Sequence, residues 1–368
     1  MSKFIVWQLK RWLVPILVIT GVFALSMVVA SLQEPLTYIT YSGYPVNNVG
    51  SFFLIAISYA AIISVVFPMF VFNYKFGIRR ADFYKQLPFE PQNLRRIIFS
   101  MGLVLLLIAV SLAYFTGIGI FLIRYFTFNK ENLSTVGDTI THLYEFKFEY
   151  LGYFYILLML TTFTTYSVTS LIVYHNIGVF ESLIAVVLGQ LFIGLFPLTT
   201  TMQILQMVER TTGNPQEMIY ITFSLVSPII AGWDLNTLFQ NVDGSFARNL
   251  YWNVGTYLLF GVGSFIWLFL VKDRSADLEN ERGRPSIITL VAVHGGFLSL
   301  QMFFNYLAYA MLYGALIIYL FTMTAYFFIN VLFRHGFKLR MEQFIPMAVV
   351  AAISLADIFI TSYAYNAM

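Results

Sequence analysis

Residues 97–123 read IIFSMGLVLLLIAVSLAYFTGIGIFLI, without one charged side chain. A bilayer's hydrocarbon core is about 30 Å thick and takes roughly 20 helical residues. No water reaches that region, so each backbone N–H and C=O must be paired within the protein, in a helix or a closed barrel. The stretch is continuously apolar, not an alternation of about ten residues, so it reads as a membrane-spanning helix. The same reading gives spans at 12–32, 51–73, 150–174, 183–206, 252–271, 286–304, 307–333 and 342–363, nine in all. The apolar stretch 218–231 contains Pro228 and is too short to cross, so it fits a re-entrant or surface helix. The first apolar run, Trp12–Val29, is long enough to span and reads as a retained helix, not a cleavable signal.

Composition agrees with an all-α polytopic membrane protein. Of 368 residues, 59% are hydrophobic and 11% charged, against about 25% charged in soluble domains, and mean hydropathy is +0.77. So few charges cannot cover a soluble surface, which excludes a cytosolic globular protein, a disordered chain and a basic nucleic-acid binder. With no cysteine there is no disulfide, thiolate metal site or cysteine nucleophile. There is no G-x-x-x-x-G-K-[ST], H-E-x-x-H or G-x-S-x-G, so neither nucleotide hydrolysis by a P-loop nor the usual hydrolytic sites are carried here. His142, His175, His294 and His335 are scattered, and none has a partner at metal-ligand spacing. No catalytic residue, metal or cofactor is expected on this chain.

Charge placement orients the spans. With the N-terminus cytoplasmic, the inner segments hold Lys3, Lys10, Arg11; Lys75, Arg79, Arg80, Lys85, Arg95, Arg96; Lys272, Arg274, Arg282, Arg284; and Arg334, Lys338, Arg340, sixteen of the 21 basic residues. That is the bias of cytoplasmic loops. The hydrophilic segment 272–285 divides a six-span part, 1–272, from a three-span extension, 273–368.

The first inner loop carries the strongest local pattern: YKFGIRRADFYKQLPFEP, residues 74–91. Residues 79–87 contain no helix breaker, and Pro88 stops a helix at the residue before it. On such a helix Phe83 and Leu87 share a face, with Arg79, Arg80 and Lys85 nearby. Positive-inside bias alone gives a basic loop lying on anionic lipid; the same pattern also suits a helix offered to a partner.

In this loop the chain resembles the permease subunits of ABC-2 type transporters, particularly the Gram-positive acetoin-utilisation and antimicrobial-peptide-related branch. Their loop reads basic-x-Asp-aromatic-Tyr-x-x-Leu-Pro, matched by Arg80, Asp82, Phe83, Tyr84, Leu87 and Pro88. The resemblance implies a coupling helix over about 79–87 that docks on a separate ABC ATPase, which carries the ATP and Mg. Asp82, Phe83 and Tyr84 would be partner contacts. It also implies an interfacial N-terminal helix within 3–12, an outer re-entrant segment at 207–251 and a second permease subunit, identical or not. The resemblance covers 1–272 and is thin beyond. The expected function is that of a permease in the bacterial cell membrane exporting a hydrophobic, lipid-like or peptide substrate. The alternatives are a membrane sensor or immunity protein that binds peptide or lipid without moving it, and an ion-coupled carrier.

Polar residues inside spans are costly and often functional. Asp357 and His294 form the candidate intramembrane polar site, with His294 or Asn305 as the partner of Asp357. Against a relay stands an ordinary interhelical hydrogen bond. His294 precedes Gly295 and Gly296, small residues that suit close helix packing. Glu181 marks either a second partner contact or the membrane boundary, and Arg124 ends its span as an outward-reaching cation. Aromatics make up 18% of the chain, fitting interface belts, lipid-facing filler or the lining of an apolar path.

Overall fold

The computed structural model describes residues 2–33, 37–39, 45–47, 49–76, 90–127, 149–176, 178–212, 245–270, 286–307, 312–334 and 341–366. They contain nine α-helices: α1 (Ser2–Gln33), α2 (Val49–Val71), α3 (Pro91–Thr127), α4 (Glu149–Tyr174), α5 (Val179–Thr212), α6 (Ser245–Leu270), α7 (Ile287–Leu307), α8 (Leu312–Arg334) and α9 (Met341–Asn366). Each overlies one of the nine apolar segments. Six of them, α1, α3, α4, α5, α7 and α8, are long and apolar enough to cross a membrane by length and composition. In α2, α6 and α9 the apolar stretch is shorter: Ile55–Val71, Leu258–Leu270 and Phe344–Ile360. The chain is a helical, multi-pass type of membrane protein.

The helix ends depart from expectation in three places. Residues 3–12 are not a separate interfacial helix but the first turns of α1, which runs unbroken for 32 residues, about 48 Å of rise. Pro15 does not divide it, because neighbouring helices and local adjustment re-satisfy the freed backbone in such proteins. Residues 207–212 and 245–251, placed in an outer re-entrant segment, are helical and belong to α5 and α6. Hydropathy registers bilayer thickness, whereas a helix continues until its backbone bonding stops. The rest of that segment, 218–231 included, lies outside the described residues. A short hairpin was not foreseen: β1 (Thr37–Ile39) pairs antiparallel with β2 (Pro45–Asn47) between α1 and α2.

The bundle has an apolar surface as well as an apolar core, unlike a soluble protein. Leu17, Val18, Leu25, Leu259 and Phe321 are exposed, whereas Thr161, Thr162, Ser167, Thr169 and Ser170 of α4 are fully buried. Lipid solvates the apolar exterior, while Thr162 donates back to Leu158 O at 2.7 Å within α4 and Thr169 accepts from Gln190 of α5 at 3.1 Å. Helix α4 is central: 72% of its apolar span is buried, against 22% for α1 and 17% for α8. It packs on α2, α3, α5 and α6. Phe67 of α2, Tyr166 of α4 and Phe99 of α3 form a ring cluster, and Tyr166 donates to Phe99 O at 3.1 Å. Phe23 of α1 stacks on Tyr59 of α2 at 4.4 Å.

The most extensive contact between two described helices joins α5 to α7, across the boundary drawn at residue 272. A Cβ on Gly296 would lie 2.4 Å from the backbone oxygen of Leu188, and one on Gly295 2.6 Å from the Phe192 ring. The Gly-Gly pair after His294 therefore does what its composition suggested. It brings two backbones together where no side chain fits.

Candidate functional site

Arg79, Arg80, Asp82, Phe83, Tyr84, Lys85, Leu87 and Pro88 all fall at 77–89, outside the described residues. What is described is the pair of flanks from which that loop leaves. On one side α2 ends in a 3-10 turn, Asn73–Phe76. On the other, Glu90 opens α3: its carbonyl accepts from Leu94 N at 3.0 Å and its carboxylate from Asn93 Nδ2 at 3.2 Å.

Both flanks are tied to the ends of other helices. Lys75 donates to the carbonyl of Tyr174, the last residue of α4, and its Nζ sits 3.8 Å from the centre of that ring. Arg95, 1% exposed, places Cζ 4.9 Å from the same ring. A desolvated cation over an aromatic face recovers about 2 kcal/mol. Arg96 donates through Nε and Nη2 to Phe269 O at the end of α6, at 3.2 and 2.7 Å. The loop's two stems are thereby joined to α4 and α6.

The connection from α4 to α5 lies beside this cluster. Asn176 Nδ2 donates to Ile172 O at 2.7 Å, and its oxygen accepts from Thr289 Oγ1 of α7 at 3.1 Å. Ser286 caps α7, accepting from Thr289 N at 3.1 Å. Glu181 accepts from Gly178 N at 3.3 Å, so its carboxylate serves the first turn of α5. His175 donates its Nδ1–H to Leu171 O at 2.7 Å. Burial, with Lys75 and Arg95 nearby, lowers its pKa from 6.5 to about 4 despite that bond. The ring is neutral at physiological pH.

A second polar cluster lies between α7, α8 and α9. Thr322 of α8 donates to Gln301 Oε1. Gln301 Nε2 donates to Asn305 Oδ1 at 2.7 Å, and Asn305 Nδ2 donates to Asp357 Oδ2 at 2.7 Å and to Ser354 O at 3.3 Å. Gln301 and Asn305 are fully buried and Asp357 is 7% exposed. Of the two partners considered for Asp357, the structure brings Asn305 to it. His294 bonds instead to the hydroxyl of Tyr326 on α8. His294 and Asp357 thus occupy separate places, since His294 and Asn305 are eleven residues, about 16 Å of rise, apart on α7.

Arg95, Tyr174, Gln301 and Thr322 were not singled out from the sequence. Gln301 and Asn305 carried a usable signal, being two carboxamides at i, i+4 on one face of an otherwise apolar helix. Arg95 carried none beyond its charge, because a basic residue at a span end is expected for topology alone.

Among the described residues no group of three or more His, Cys, Asp or Glu could hold a metal ion. No family model, curated protein or solved structure matches the chain.

Proposed function

We propose that the chain is the permease subunit of an ATP-driven exporter of the ABC-2 type, in a bacterial cell membrane with its N-terminus cytoplasmic. A separate ABC ATPase supplies ATP and Mg, and a second permease subunit completes the path. The cargo is hydrophobic or amphipathic: a peptide, an antibiotic or a lipid-like molecule.

The observation that supports this reading best is the anchoring of both stems of the 77–89 loop. Lys75 and Arg95 fasten them to the end of α4, and Arg96 to the end of α6. A docking segment moves a bundle only if its stems are stiffly joined to the helices that must shift. A pull delivered to these stems would reach the central helix α4 through Lys75 and Arg95. Phe83 and Tyr84 enter the partner's groove in this mechanism, and Asp82 and Arg80 fix its register.

The test is co-purification of the chain with the ATPase it is expressed with, combined with ATP turnover. Phe83→Ala with Tyr84→Ala should release the ATPase and remove any stimulation of its turnover, while the permease still elutes as a folded membrane protein. A complex that survives both changes with unchanged turnover overturns the reading, as does full transport by the purified chain alone.

A further inference from the structure

The charged residues of α1 all lie near its start: Lys3, Lys10 and Arg11, with no Asp or Glu anywhere along the helix. That start lies at the end of the bundle where α2 finishes. Trp12 meets Phe67 at 6.5 Å and Phe23 stacks on Tyr59, so the two helices run antiparallel. Lys75, Arg95 and Arg96 gather at the same end, but they turn inward to Tyr174 and Phe269. Lys10 and Arg11 turn outward. Both are exposed, and among the described residues neither has a hydrogen bond or an ion pair. Arg11 places Cζ 5.9 Å from the centre of the exposed Trp7 ring.

The outer face of α1 locates these cations against a bilayer. Trp7, Lys10, Arg11 and Val14 follow one another at three- and four-residue steps along one stripe. From Val14 onward the stripe is apolar, with Val18, Val22, Leu25, Val29 and Leu32 all exposed. Val14 to Leu32 is eighteen residues, about 27 Å of rise, against about 30 Å for the hydrocarbon core. Lys10 and Arg11 therefore stand one turn beyond the hydrocarbon, where long basic side chains reach the phosphates. Trp7 sits at headgroup level, as interfacial aromatics do. No charged residue marks the opposite end of the helix.

We propose that Trp7, Lys10 and Arg11 form a headgroup site for an anionic phospholipid. Its phosphate lies between the Lys10 ammonium and the Arg11 guanidinium, whose parallel N–H groups suit two phosphate oxygens. An acyl chain follows Val14 and Val18. A choline headgroup suits the place less well, because it brings an ammonium of its own to two cations that no acid on α1 offsets. Phosphatidylglycerol brings none. The site needs no ATPase and stands whether or not the chain exports anything.

The experiment places single cysteines at Val14→Cys or Val29→Cys, one toward each end of the stripe, in a chain that otherwise has none. Each is labelled with bimane, and the full chain is put into vesicles of phosphatidylglycerol and phosphatidylcholine with bromine on the acyl chains of one lipid or the other. Quenching at Val14 should report a preference for phosphatidylglycerol of about tenfold, since each basic residue near the surface contributes. At Val29 it should report no preference. Lys10→Gln with Arg11→Gln should abolish the preference at Val14, and unchanged quenching at Val29 shows that the altered bundle is intact. Lys10→Arg, which keeps the charge, should retain it. No preference at Val14 in the chain with both cations overturns the proposal, as does a preference that survives their loss. So does a Val14 label that neither brominated lipid quenches, because a second copy or another protein would then cover the stripe.

Discussion

His175 shows how a single side chain's charge is decided by its neighbours. It is half-buried beside Lys75 and Arg95, and its ring is kept neutral down to about pH 4. In the unfolded chain it would take a proton near pH 6.5. The unfolded state therefore binds more protons between those values, so folding stability contributed here is whole above about pH 6.5 and drains as pH falls toward 4. The thermal midpoint of the detergent-solubilised protein should fall across that window, and His175→Gln should flatten the decline. A slope unaltered by His175→Gln would show that other groups govern it. At this scale the sequence was partly legible. Asp357 and Asn305 stood out because polar groups inside apolar helices must find each other. Tyr174 did not, because a tyrosine at a span end is ordinary, and only the fold shows that two cations meet its ring.

The elements tell more. Helix α7 lies on α5 through Gly189, Gly295 and Gly296, and the three positions are not equivalent. A Cβ at Gly296 meets the carbonyl oxygen of Leu188, which belongs to a helix backbone and cannot step aside. A Cβ at Gly189 meets the Cδ1 tip of Ile172 at 2.6 Å, which rotates away at small cost. Gly296→Ala should therefore destabilise the protein by about 1–3 kcal/mol, the usual range for overpacking, and Gly189→Ala by clearly less. Chemical or thermal unfolding in detergent reads both, and equal losses would mean that the two helices slide apart without resistance. The positions of the nine described helices were legible, because continuous apolar runs of span length have few other uses. Their ends were not. Turns of α1, α5 and α6 beyond the apolar stretch keep their helical bonding, and polar side chains there disguise it.

For the whole molecule, orientation is the decisive quantity. The described basic side chains Lys75, Arg95 and Arg96 gather at the same end of the bundle, where α2, α4 and α6 finish and α3 begins. In the proposed orientation that end is cytoplasmic, and the positive-inside reading of nine spans puts Ser275 on the same side. The chain has no cysteine, so a cysteine placed at Ser275 labels without background. It should react only after the membrane is opened, and reaction with an impermeant reagent from outside would overturn both the crossing number and the orientation. The proposed exporter mechanism rests in the sequence on a short motif in the first inner loop, which is why its trial is a binding experiment with the proposed partner.

The glycine seam also bears on how much of this chain can be removed. By sequence alone the three C-terminal helices read as an extension of a six-span part, free to be trimmed. Yet α7 covers α5 at backbone distance, so a chain ending before Ser286 would bare a groove notched to receive a helix, with Asn176 deprived of its tie to Thr289. Helix α7 is a wall that α5 is shaped to lean on.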